Sequence, residues 1–248
     1  MKKIFAAVAA LFAPAAALAG PPHAPVPDGE AALHSYILLD RTGSMQSIWG
    51  EALGSVNAYA AGVAEVDPDE TKDLKTQITL AVFDAQDGLE FDVLRKSVGP
   101  GDWSEVTNTE ASPRGMTPLF DAIGRMVSLA EGDAPEKAVI VVMTDGAENA
   151  SREMTKDQAK AALDRVRARG WEVVFLGAEF ADFDDADAVG VSSSKSIAVD
   201  KNALFSSMQR LGKKSRDYGQ GQADEIIFDE EDREIAKEKE VKDRKGGN

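Results

Sequence analysis

Residues 36–44 read YILLDRTGS, and residues 138–146 read AVIVVMTDG. Each is a short, wholly apolar run that breaks at once into acid, hydroxyl and glycine. An apolar run of this length without alternation fits a strand buried on both faces, as in a parallel sheet. The polar residues that follow then lie at the carboxyl end of the strand, where open α/β sheets hold their ligands. Two such junctions would bring Asp40, Thr42 and Ser44 to the same sheet edge as Asp145.

The pattern continues outward from these two runs. Between them, Met45 to Val66 carries Ile48, Ala52, Leu53, Val56, Ala60 and Val63 on one helical face, and Asp67-Pro68 ends it. Ile78 to Phe83 is a second apolar strand. After the turn Asp84-Ala85-Gln86-Asp87-Gly88, Leu89, Phe91 and Val93 alternate with Glu90 and Asp92, which predicts an antiparallel hairpin with its second strand at a sheet edge. A long polar stretch, roughly 99–116, leads to a helix starting near Pro118. Beyond residue 146 come a helix over 155–170, a strand at 173–176, a short helix at 183–189, a strand at 197–199 and a helix over 203–218. The fold class is α/β: a Rossmann-like, doubly wound, mainly parallel six-stranded sheet with one antiparallel edge strand and helices on both faces.

At the ends the composition changes. Lys2 and Lys3 precede an apolar run from Ile4 to Ala16, and Ala17-Leu18-Ala19 has the small-x-small spacing of a cleavage site. Residues 1–19 are expected to be a secretory signal peptide cut before Gly20, and 20–33 a flexible leader rich in proline and alanine. One domain spans 34–218. The remainder, 219–248, is a charged tail, with eight acids and six bases interleaved from Asp229 onward; it reads as a solvated helix or a disordered segment. The expected location is the periplasm or the cell exterior.

Composition narrows the chemistry. With 28 basic and 43 acidic residues the formal charge is −15, which suits neither nucleic acid nor insertion into an anionic membrane. There is no cysteine, so disulfides, thiolate nucleophiles and Cys-ligated zinc are excluded. Two histidines, His23 and His34, leave little for Ser-His-Asp catalysis. Carboxylates and hydroxyls remain, and these are the oxygen ligands of hard cations.

A third loop, Gly115-Met116-Thr117-Pro118, adds a hydroxyl ahead of a helix. Asp40-x-Thr42-x-Ser44, then Thr117, then Asp145-Gly146 resembles the metal-ion-dependent adhesion site of von Willebrand factor type A domains, over residues 34 to about 215. The resemblance implies that Thr42 and Ser44 coordinate a Mg²⁺ ion, with Mn²⁺ or Ca²⁺ as alternatives. It implies that Thr117 does so directly or through water, and that Asp40 and Asp145 supply charge through bridging waters. The family pattern usually has serine where this chain has Thr42; the hydroxyl is kept and a methyl added. It further implies a binding module, not an enzyme, whose ion takes a carboxylate from a partner protein.

Each residue also has an ordinary reading. Asp40 or Ser44 could cap the following helix, Thr117 could cap the helix at Pro118, and Asp145-Gly146 could be a plain turn. Arg41 and Met45 are expected to flank the site, Glu148 and Asn149 to rim it. Trp103 and Met116 are expected either at a contact surface or packed on the domain, and Asp184, Asp185 and Asp187 on a polar helix face. Two other functions compete with adhesion. One is a haloacid dehalogenase-type phosphatase with Asp40 as nucleophile, although Thr42 stands where that chemistry needs a second acid. The other is a metal-free interaction protein working through the long loop and the tail.

Overall fold

A computed structural model of the chain describes residues 31–65, 74–179 and 184–246. The signal-peptide reading and most of the leader fall outside these residues. At the centre of the sheet β1 (Ala31–Asp40) runs parallel to β2 (Leu74–Ala85) on one side and β4 (Lys137–Thr144) on the other. β5 (Glu172–Ala178) and β6 (Ser196–Val199) extend the parallel part, and β3 (Leu89–Val98) pairs antiparallel with β2 at the opposite edge. The order is β3-β2-β1-β4-β5-β6, so the winding reverses between β1 and β4. That reversal opens a crevice at the carboxyl ends of these two strands, the standard ligand position in such sheets. The expected fold class is the one observed.

Alternation along β1 builds both layers. Ile37 and Leu39 point into a core shared with α1 (Trp49–Ala64) and α5 (Leu204–Gln220). Tyr36 and Leu38 point the other way, against α2 (Leu119–Asp133), α3 (Lys156–Arg167) and the short α4 (Asp184–Ala188). A strand buried on both sides must be apolar throughout, which is why the run 36–39 shows no alternation. Gly62 on α1 and Gly212 on α5 let these helices touch backbone to backbone; a methyl on either would overlap the other helix's main chain.

Two segments, the start of the first long helix and the tail, differ from the sequence reading, and the long loop between β3 and α2 is more firmly attached than its polarity suggests. The helix expected from Met45 begins as a 3₁₀ turn, Gly43–Ser47, and becomes α-helical only at Trp49. The long 99–116 stretch is held down along its length. Asn57 Oδ1 accepts from Trp103 Nε1 at 3.0 Å and Val106 N–H at 2.9 Å, Trp49 Nε1 donates to the Ala111 carbonyl at 3.1 Å, and Val106 and Ala111 are buried. The charged tail is ordered as α6 (Glu230–Ala236) and α7 (Glu238–Gly246), and it buries Ile226, Phe228, Ala236 and Val241. Ion pairs to α5 attach it, Arg210 with Asp232 at 2.5 Å and Lys214 with Asp229 at 2.8 Å; such pairs leave no apolar periodicity to read. Among the described residues no helix is long and apolar enough to cross a membrane.

Candidate metal site

β1 delivers Asp40 fully buried to the crevice. Its Oδ1 accepts the Thr42 N–H at 2.7 Å and its Oδ2 the Thr144 hydroxyl at 2.7 Å, so the carboxylate ties the ends of β1 and β4 together. The 3₁₀ turn then folds the next two hydroxyls onto one side. Thr42 Oγ1 and Ser44 Oγ lie 3.1 Å apart, Ser44 Oγ donates to Asp145 Oδ1 at 2.6 Å, and Thr117 Oγ1 donates to Thr42 Oγ1 at 3.4 Å. Asp40, Thr42, Ser44, Thr117 and Asp145, drawn from three loops, form one connected cluster of oxygen atoms. Gly146 leaves the space beside it open: a methyl there would sit 3.7 Å from Ser44 Oγ and 3.9 Å from Thr117 Oγ1.

Neither the 3₁₀ turn nor α1 receives a side-chain cap, so Thr42 and Ser44 are not spent on helix amides. α2 has no cap from its own entry residue either. Its first amides are satisfied from elsewhere, Phe120 N–H by Glu148 Oε2 at 3.0 Å and Asp121 N–H by Ser151 Oγ at 3.1 Å. A hydroxyl beside a helix start normally turns to the amides. Here the three hydroxyls turn to one another and to a carboxylate.

Electrostatics favour a cation. Burial pushes the Asp40 carboxyl up to about 6, with the Asp145 charge adding to the effect and the Thr144 and Thr42 hydrogen bonds opposing it. The buried Asp40 and the partly exposed Asp145 repel, and a divalent ion between them would relieve both the burial of Asp40 and the repulsion. Among the described residues no group of three or more His, Cys, Asp or Glu side chains could hold a metal. An ion here would therefore rest on hydroxyls as much as on acids, an all-oxygen set that fits Mg²⁺ or Mn²⁺.

Surrounding residues hold the loops in place, and several expectations change. Asn149 clamps Thr117 from both sides of its peptide: Oδ1 accepts the Thr117 N–H at 2.8 Å, and Asn149 N–H donates to the Thr117 carbonyl at 3.0 Å. Glu148, expected at the rim, instead caps α2 and accepts from Ala150 and Ser151 amides at 2.8 and 2.7 Å. Asp185 steadies the same loop by accepting the Glu148 N–H at 2.7 Å. Met45 is in the core, and Arg41 is buried, so neither flanks the site as a contact residue. Arg41 pairs with Asp84 at 2.7 Å and Asp92 at 2.7 Å, and Arg114 closes on the other Asp84 oxygen at 3.1 Å. Trp103 packs on the domain, whereas Met116, beside Thr117, is 54% exposed.

Asp84 is hard to single out by sequence because it opens the run Asp84–Gly88, which reads as a turn. Yet it follows the buried run of β2 as Asp40 follows that of β1, and the same rule would have singled it out. Next to it, Gly115 sits at φ +70°, where a methyl would overlap the Ala85 carbonyl and Asp84; its carbonyl accepts the Gly43 N–H at 3.2 Å. The first and third loops of the cluster are thereby stitched together.

No protein-family model matches the sequence, and no curated protein matches it. Solved structures do match. The pilus adhesin SpaC of Lactobacillus rhamnosus GG aligns with 74% of this chain at TM-score 0.58 and 13% identity, over 30% of its own length. The von Willebrand factor domain of the type V pilus tip protein Mfa5 from Porphyromonas gingivalis aligns with 74% of this chain and 94% of its own, at TM-score 0.55 and 10% identity. Manganese-loaded TRAP of Plasmodium vivax aligns at TM-score 0.52 and 13% identity, over 74% of each chain. Identities this low speak to architecture alone. The chain has the von Willebrand factor type A fold.

Proposed function

We propose that the protein is an exported binding module, not an enzyme, in which a Mg²⁺ or Mn²⁺ ion held at this crevice coordinates a carboxylate of a partner protein. One observation carries the reading: three hydroxyls from two separate loops forgo helix capping and converge on one another and on Asp145 of a third loop. Thr42, Ser44 and Thr117 would hold the ion, with Asp40 and Asp145 providing the balancing charge. The bound cation would supply a Lewis-acidic site that an anionic side chain can join. Support of a general kind comes from a pilus adhesin of the same fold, and from another protein of that fold whose structure is described as manganese-loaded. Periplasmic or extracellular placement follows from the signal-peptide reading of residues 1–19.

The phosphatase alternative loses ground on geometry. A nucleophilic Asp40 would need a free oxygen aimed at the crevice, but both its oxygens are engaged, by Thr42 N–H and Thr144 Oγ1, and the side chain is wholly buried. A metal-free role through the long loop is weakened because that loop is pinned to α1. The test has two arms. Calorimetry with Mg²⁺ and Mn²⁺ should show saturable binding to the wild-type protein and none to Asp40→Ala, and capture of a carboxylate-bearing partner should disappear with chelator. Capture that is indifferent to chelator would refute the metal bridge.

A further inference from the structure

The sheet has two edges, and they are protected by different means. β3 carries Glu90, Asp92, Arg95 and Lys96, and its register against β2 slips between Ile78 and Ala81. Charges and bulges are common ways to blunt an edge against strand addition. β6 has neither: Ser196-Ile197-Ala198-Val199 is uncharged and buried.

What protects β6 is the C-terminal segment. In an extended strand the N–H and C=O of alternate residues face the same side, so the outward groups here belong to Ser196, Ala198 and Asp200, with Ser194 in the 3₁₀ turn just ahead of the strand. Each of these residues is engaged. The Ser194 carbonyl accepts from Phe228 N–H at 2.8 Å, and that of Ser196 from Arg233 Nη1 at 3.5 Å. Ala198 N–H donates to Glu238 Oε1 at 3.1 Å, and Asp200 N–H to the Ala236 carbonyl at 2.9 Å. Glu238 thus stands where a neighbouring strand's carbonyl would be. It is buried, and it is held by Arg233 at 2.8 Å and Lys242 at 3.0 Å.

We propose that residues 222–246 are an intramolecular edge cover, held in place by Arg233 and Glu238, that prevents the β6 edge of one copy from pairing with the β6 edge of a second. An antiparallel β6–β6 pair across a two-fold axis would satisfy the same outward groups, and its uncharged strands bring no like charges face to face. Ile226, Phe228 and Ala236 anchor the cover in the core and Arg210 and Lys214 pair it to α5, but at the strand itself Arg233 and Glu238, paired with each other, make the bonds to Ser196 and Ala198, so loss of these two side chains frees the β6 edge.

The experiment uses the full chain carrying Arg233→Ala and Glu238→Ala. Amide exchange at Ala198 and Asp200 should rise at least tenfold, and sedimentation should show a dimer whose population grows with concentration. Adding Ala198→Pro, which removes an outward N–H and leaves the pairing to β5 intact, should restore the monomer; Ser196→Pro serves where circular dichroism shows that Ala198→Pro does not fold. Unchanged exchange would show that these side chains do not hold the cover. Fast exchange with a monomer at every concentration, or a dimer that survives the proline, would equally overturn the proposal.

Discussion

Asp40 carries its charge where burial opposes it, and the consequence for stability can be given a sign. Its carboxyl titrates near 6 in the folded protein, against an ordinary 3.8, so between these pH values the folded state holds a proton that the unfolded state has released. The metal-free protein therefore loses stability as pH rises through that window, with a ceiling of roughly 3 kcal/mol at neutral pH. Asp40→Asn removes the charge while keeping an acceptor for Thr42 N–H and offering a donor to Thr144. At pH 7 the metal-free variant should melt no lower than wild type and should bind no Mg²⁺. A variant that melts much lower would mean the carboxylate is structural and not poised for an ion. That the five candidate residues come together was legible in the sequence because each follows a buried strand or precedes a helix. Arg41 and Met45 misled for the same reason: adjacency along the chain does not say which side of a 3₁₀ turn a side chain takes.

Loops and caps govern the next level, where the candidate site depends on residues that touch no ion. Asn149 holds the Thr117 peptide at both its N–H and its C=O, so it fixes where that hydroxyl points. Asn149→Ala should weaken Mg²⁺ binding several-fold, with a stability cost of about 1 kcal/mol for the lost hydrogen bond. Asn149→Asp, which still accepts the Thr117 N–H, should recover most of the affinity; calorimetry alongside urea unfolding separates the two effects. If both variants lose stability and affinity in proportion, Asn149 merely supports the fold. Strands and long helices were readable from periodicity, since burial on one face or two leaves a clear apolar pattern. Glu148 and Asn149 were not assignable in the same way, because a cap supplied from a distant loop depends on tertiary approach. The tail was misread as solvated because its attachment lies in ion pairs such as Arg210–Asp232, and in four apolar residues without helical spacing.

The whole molecule unites two apolar layers with a polar crevice at the point where the sheet reverses. At the opposite end of β1, His34 is buried, with Nε2 against Thr79 Oγ1 at 2.8 Å and Nδ1 against the Tyr36 hydroxyl at 2.9 Å. Burial pushes it down to about 4, with Asp133 pulling upward and Lys96 adding to the fall. Its folded value lies below the unfolded 6.5, so stability present above pH 6.5 is lost as pH falls toward 4, up to roughly 3 kcal/mol in all. The urea midpoint should drop across that range, and His34→Gln should flatten the drop; an identical slope in the variant would assign the acid sensitivity elsewhere. The crevice itself exists only because the fold brings together loops that lie far apart in sequence. If hydroxyls of separate loops share one cation there, Thr117 is the residue to change, since Thr117→Val deletes a hydroxyl at constant shape. Mn²⁺ binding followed by electron paramagnetic resonance should be at least tenfold weaker in Thr117→Val than in wild type, with unchanged melting; equal affinity in a folded variant would contradict the shared site.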